Sequence, residues 1–153
     1  MIISRAEKTD LKEILDLQYS SYRSEAVLYN DFTIQPLKQT IEELRQEFDN
    51  SIILKAQING RIVGSVRAIS KENLTCNIGK LIVHPDFQNR GIGRKLMKSI
   101  EDIFSHTKRF ELFTGHRSKK NLNLYWKLGY TQHKSEEVNQ NLTLIFLNKI
   151  IES

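Results

Sequence analysis

Asn59-Gly60 stands alone between Ser51–Ile58 and Arg61–Ser70, two runs rich in β-branched residues. An Asn-Gly pair accepts positive φ at both centres of a two-residue turn, and that turn has the twist of paired strands, so the runs form an antiparallel hairpin. Thr75–Val83 adds a third strand, reached through the polar Lys71-Glu72-Asn73 turn. Beyond it, Ile92, Leu96, Met97, Ile100, Ile103 and Phe104 recur at helical spacing, and Arg109–Thr114 reads as another strand. Strand, helix and strand in that order imply a right-handed crossover between parallel neighbours. One sheet therefore holds an antiparallel meander and a parallel pair.

The flanking segments extend this sheet. Met1–Arg5 reads as a short strand, and Thr9 or Asp10 caps a helix whose Leu11, Ile14, Leu15 and Tyr22 share a face, running to about Ser24. Glu25–Gln35 shows no sustained period and is expected to be an irregular loop. Pro36 opens a second helix with Leu37, Ile41, Leu44 and Phe48 on one face. Ser118–Leu128 reads as a helix ended by Gly129, and Tyr130–Glu136 with Asn141–Asn148 as a terminal hairpin. The expected fold is α/β of the α+β type, a mixed, mostly antiparallel central sheet of about seven strands flanked by four helices.

A chain of 153 residues, 39% hydrophobic and 27% charged, has material for one sizeable core, so residues 1–153 are expected to form a single domain. Lys and Arg exceed Asp and Glu by 23 to 18, a surplus that suits an anionic ligand, an acidic partner or solubility. The lone Cys76 allows no intramolecular disulfide, and no early apolar run has signal-peptide or membrane-spanning length, so a cytoplasmic protein without a membrane partner is expected. His84, His106, His116 and His133 show no ligand spacing and no Gly-x-Ser-x-Gly elbow occurs, which leaves metal and serine-hydrolase chemistry unsupported. His116, Arg117, Lys119 and Lys120 form a basic run, but without interleaved aromatics it makes no nucleic-acid platform.

The stretch from Val83 to Glu101 places Pro85, Gly91 and Gly93 just before and inside the start of a basic amphipathic helix. Such an entry leaves backbone N–H groups free at the positive end of the helix dipole, with no Cβ at the glycines to keep a ligand away. Arg90, Arg94 and Lys95 add mobile positive charge, so phosphate is the natural guest. The plainer reading is a tight strand-to-helix turn with a solvated cationic face. Two familiar phosphate loops fail on spelling: the Gly-x-x-x-x-Gly-Lys-Ser/Thr loop is absent, and the dinucleotide fingerprint meets Leu96 where it needs its third Gly.

Gln88-Asn89-Arg90-Gly91-Ile92-Gly93 resembles motif A of the GCN5-related N-acetyltransferase (GNAT) family, Gln/Arg-x-x-Gly-x-Gly/Ala, and matches every fixed position. Leu124-Tyr125-Trp126-Lys127-Leu128-Gly129-Tyr130 resembles that family's motif B, and Ile62-Val63-Gly64 its strand-three segment. The resemblance covers most of the chain. It implies the acyl-CoA N-acyltransferase fold, with the sheet splayed between strands four and five, and acetyl-CoA as co-substrate. By the same resemblance the pyrophosphate rests on the amides of Gln88, Asn89, Arg90, Gly91, Ile92, Gly93 and Arg94. The pantetheine arm pairs with main chain at Leu81, Ile82 and Val83, and Asn121, Tyr125 and Lys127 complete the cofactor site.

The resemblance implies N-acetyl transfer to an amine of a small molecule, peptide or protein by direct attack in a ternary complex, with Tyr125 as general acid. Where some relatives carry a basic Glu, eleven residues before Gln88, this chain has Asn77, which cannot take a proton. His84, Glu111, His116 and Glu25 are the titratable candidates, and none is assigned the role of base. Asn77 also keeps open the alternative of a CoA-binding sensor or pseudoenzyme without turnover. Glu25, Tyr29 and Asp31 lie in the loop that would meet the acceptor and suit a cationic amine by charge and aromatic face. Pairing of the terminal hairpin with a second copy is the expected route to any homodimer.

Overall fold

The computed structural model describes residues 1–152. Seven strands form one sheet in the order β1-β2-β3-β4-β5-β7-β6, with β1 Ile2–Arg5, β2 Ile52–Ile58, β3 Arg61–Lys71, β4 Thr75–Val83, β5 Arg109–Gly115, β6 Thr131–Glu137 and β7 Thr143–Ile150. Only β4 and β5 run parallel; every other neighbouring pair is antiparallel. Asn59 and Gly60 take φ of 51° and 79°, the turn their identities predict. The next turn uses positive φ at Asn73 and Leu74, and Leu74 adopts it without the help of a Gly or Asn side chain.

Alternation along β2 and β3 sends neighbouring residues to opposite faces, which divides the apolar residues into two clusters. Ile53, Ile62 and Ile82 pack with Leu11, Ile14, Leu15 and Leu17 of α1 (Leu11–Tyr29) and Leu44 of α3 (Ile41–Asn50). On the other face Leu54, Val63, Val66, Ile78, Phe110 and Leu147 meet Ile92, Leu96, Met97 and Ile100 of α4 (Ile92–Ile103) and Leu122 of α5 (Lys119–Lys127). Each of these aliphatic side chains contributes roughly 1.5–3 kcal/mol by leaving water. Ile103 ends up exposed, so the α4 stripe is narrower than its spacing suggests.

Two helix boundaries depart from the sequence reading. The first helix does not stop near Ser24: it continues through Glu25-Ala-Val-Leu-Tyr29, buries Ala26 and Tyr29, and ends at Asn30 in the left-handed conformation with its N–H on the carbonyls of Ala26 and Val27. The second helix is two pieces, a four-residue α2 (Gln35–Lys38) and α3, so among the described residues five α-helices flank the sheet. Thr40 separates them because it caps α3: its Oγ accepts the Glu43 N–H at 3.2 Å while the Glu43 carboxylate accepts the Thr40 N–H at 2.9 Å.

The parallel pair is short. Thr75, Cys76 and Asn77 register with Arg109, Phe110 and Glu111, and beyond them the strands part. A bulge lies just past that point: Ser65 faces Ile82 and Arg67 faces Gly79, so β4 carries one extra residue, with Lys80 at φ 51°. Bulges bend a strand and break its ladder, which turns β4 away from β5.

Gly115, at the far end of β5, shows how closely α1 approaches this opening: a Cβ there would lie 2.0 Å from the Tyr29 hydroxyl. Gly115→Ala should therefore cost about 1–3 kcal/mol by overpacking. The urea midpoint should fall with an unchanged slope; an unaltered midpoint would mean that Tyr29 moves aside freely.

Candidate active site

Parting of β4 from β5 leaves two connected hollows. A groove of about 640 Å³ runs from Leu81, Ile82 and Val83 past Gln88, Asn89, Gly91, Ile92, Gly93 and Arg94 to Arg117, Lys119, Lys120 and Asn121. A cavity of about 840 Å³ lies on the other side, between β4, the start of α2, the end of α3 and the tip of the β6–β7 hairpin. Tyr22, Glu25, Leu81 and Asn121 line both. These four residues mark the junction where contents of the two hollows meet.

At the groove's turn, Gly91 caps α4 with φ 80° and Asn89 has φ 64°, so the chain enters the helix through two left-handed residues. The first intrahelical bond of α4 is Lys95 N–H to the Gly91 carbonyl at 3.1 Å, which leaves the earlier amides Ile92, Gly93 and Arg94 without helical acceptors. A Cβ on Gly91 would meet no protein atom within 4 Å and would project into open space. The Gln88 side chain donates to the Val83 carbonyl at 3.2 Å and ties this turn to the end of β4. Ser21 Oγ, also on the groove wall, is shielded and has no partner.

Three of the expected cofactor residues, Arg90, Tyr125 and Lys127, fall outside the groove wall. Arg90 lays its guanidinium over the Phe87 ring at 5.1 Å, and Lys127 is exposed on α5. Arg117, Lys119 and Lys120, set aside above as a basic run with no platform, instead line the groove opposite Arg94 and supply cations there. Their place follows from the parallel crossover, which brings the loop after β5 beside the loop after β4; the sequence signal was a basic run at the start of the helix after β5.

Tyr125 is 5% exposed and borders the cavity, with its ring 6.0 Å from that of Tyr130. Burial, reinforced by Tyr22 and Glu25, pushes its phenol well above the usual tyrosine range, so it stays protonated near neutrality. Of the four titratable candidates, only Glu25 reaches the junction. His84 accepts the Asp86 N–H at 3.1 Å in the turn after β4, the His116 Nδ1 accepts the Thr143 N–H at 3.0 Å, and Glu111 pairs with Arg109 at 2.7 Å. Glu25 Oε2 accepts from the Ser118 hydroxyl at 2.7 Å; Ser118 also contacts the Tyr29 hydroxyl at 2.8 Å, and that hydroxyl accepts the Arg117 N–H at 2.9 Å. Tyr29 and Asp31 both line the cavity, and the Asp31 carboxylate holds the Thr33 N–H at 2.8 Å and the Thr33 hydroxyl at 2.6 Å.

Behind the cavity lies a buried polar knot. Arg67 is 3% exposed; its guanidinium donates to Glu47 at 2.9 Å, to Gln39 at 3.1 Å and to Gln18. Gln18 in turn donates to the Pro36 carbonyl at 2.8 Å and to Gln39 at 3.0 Å. The knot fixes α1, the α2–α3 connection and α3 against β3, because each buried polar atom needs its partner in place.

Residues 18–150 match the family model described as an acetyltransferase (GNAT) domain. The chain belongs to the GNAT family. Among solved structures, the smu.2055 protein of Streptococcus mutans UA159 superposes with a TM-score of 0.85 at 19% identity, over 99% of this chain and all of that one. The ribosomal-protein-S18-alanine N-acetyltransferase of Escherichia coli gives 0.81 at 15% identity, over 99% and 94%. Salmonella typhimurium yncA, solved with its cofactor acetyl-CoA, gives 0.77 at 20%, over 100% and 95%. At these identities the likeness establishes the acyl-CoA N-acyltransferase fold. By sequence the chain is 24% identical over 142 residues to the UPF0157 protein YqkA of Bacillus subtilis, a match that takes in 93% of this chain and 40% of YqkA. It spans less than half the length of each curated relative it matches. Among the described residues no helix is long and apolar enough to cross a membrane.

Proposed function

We propose that the chain works as one N-acetyltransferase domain that moves an acetyl group from acetyl-CoA to an amine. The observation that carries this reading is the open edge of β4 at Leu81–Val83, which forms one wall of a groove whose far end holds the unbonded amides of α4. Sheet edges of this kind pair with extended main chain, and amides at a helix start hold phosphate. The groove residues fit a long anionic ligand: Ser21 Oγ lacks a partner, no Cβ fills the space over Gly91, and Arg94, Arg117, Lys119 and Lys120 offset phosphate charge. Family membership and the acetyl-CoA complex of yncA support the same ligand.

When bound, acetyl-CoA supplies a thioester whose carbonyl carbon an amine attacks and whose thiolate then departs. Glu25, at the junction, attracts the incoming ammonium and lies where its proton must leave. Tyr125 keeps a proton on its hydroxyl for the departing sulfur, and burial strengthens any hydrogen bond it makes there. Arg90 and Lys127 stand outside the groove and are assigned no contact with the ligand.

Thiol release from acetyl-CoA across a panel of amines tests the reaction. Tyr125→Phe should lower kcat by about 100-fold with little change in acetyl-CoA affinity, the signature of a group used in the chemical step; full turnover would remove Tyr125 from that role. Binding of acetyl-CoA without thiol release for any amine would assign the sensor role instead. Gly91→Val should abolish the rise in melting temperature that acetyl-CoA produces by linkage, because a β-branched residue is strained at φ 80° and shifts the turn that presents the α4 amides; an undiminished rise would place the diphosphate elsewhere.

A further inference from the structure

The cavity that would receive the acceptor carries three polar groups that nothing in the protein uses. Arg67 Nε is shielded from solvent and has no acceptor, although the other nitrogens of its guanidinium are bonded. Asn77 Oδ1, also on the cavity wall, is shielded and has no donor. Lys80 is half-buried on the same wall, and among the described residues its ammonium has neither an ion pair nor a side-chain hydrogen bond.

Their chemistry is complementary to one kind of guest. The unpaired Lys80 ammonium calls for an anion, the unmatched Arg67 Nε–H for an acceptor and the unmatched Asn77 oxygen for an N–H. Glu47 is already engaged by Arg67 and Gln39, and Glu25 by Ser118, so neither neutralises Lys80 at close range. Leaving buried polar groups unsatisfied is costly, and a bound ligand is one of the partners that can complete them. We infer that the acceptor is a small amine that also carries a carboxylate, held by Lys80 beside Arg67, with its N–H groups on Asn77 and its ammonium toward Glu25. The inference deepens the acetyltransferase reading and rests on it.

The backbone explains why the cation sits there. Lys80 is the extra residue of the β4 bulge, next to Leu81 at the junction, so the same irregularity that opens the sheet swings a lysine into the cavity. Burial first, and the nearby Arg67 charge second, push its ammonium toward the neutral form, with Glu47 partly opposing them. An incoming carboxylate reverses that balance, which gives Lys80 a stronger interaction with an anion than an exposed lysine would have. A polyamine offers no such partner and would place a second cation against Lys80 and Arg67.

The test uses product mimics, so that turnover is not needed. Calorimetry on the protein saturated with CoA compares N-acetylated alanine, leucine, phenylalanine and glutamate with the corresponding N-acetyl amides, which lack the α-carboxylate. At least one acid should bind about tenfold more tightly than its amide. Lys80→Met should remove that preference and Lys80→Arg should keep it, with melting curves for Lys80→Met and Lys80→Gln confirming a folded chain. Amides that bind as tightly as acids, a preference that survives Lys80→Met, or no acid binding at all would each overturn the inference while leaving CoA binding intact. A protein that binds no CoA overturns the acetyltransferase reading, and this inference with it.

Discussion

The parting of β4 from β5 is the feature on which the rest depends. Three registered residue pairs hold the strands together at one end, and one extra residue in β4 bends the strand where the pairing stops. Without that opening the groove and the cavity would be one continuous ladder of backbone hydrogen bonds, with no room for a ligand between layers. With it, the edge of β4 that faces β5 is left without a strand partner at Leu81–Val83, in the middle of an otherwise paired sheet. A parallel pair with helices on both faces normally has no use for unpaired backbone, so its persistence points to an external partner.

Two different kinds of packing hold the opening in shape. Below the groove, aliphatic side chains of α4 and α5 close on Val63, Val66 and Ile78, and this contact is tolerant of small shape changes. Behind the cavity, Arg67 with Gln18, Gln39 and Glu47 fixes α1 and α3 through directed bonds that have one solution. The buried ion pair adds little net stability, since desolvation offsets much of its attraction. Its effect is to hold one geometry at the cavity wall.

Much of this was legible in the sequence because it is local. Asn59-Gly60 specifies a turn through its own backbone preferences, and the α4 stripe shows its core face through spacing alone. Gly91 marks the left-handed turn into α4 for the same reason. Two missed boundaries were also local: Asn30 is a left-handed stop for the first helix, and Thr40-Ile-Glu-Glu43 spells a capping box that splits the second. Other features were not readable in principle. Nothing adjacent in sequence to Lys80 announces a bulge, because the bulge is a mismatch of register between two strands. Arg67 joins Gln18, Gln39 and Glu47 from three separate segments, and the basic run at Arg117–Lys120 acquires its role only when the crossover brings it beside Arg94.

The central claim is that a CoA thioester lies along the open edge of β4 and on the amides that begin α4. Backbone amide hydrogen exchange, followed with and without acetyl-CoA, reads those groups directly. The account predicts slowed exchange at Leu81–Val83 and at Gly91–Arg94, with β1 and β2 unaffected. Slowing confined to other segments, or none at saturating ligand, would contradict it.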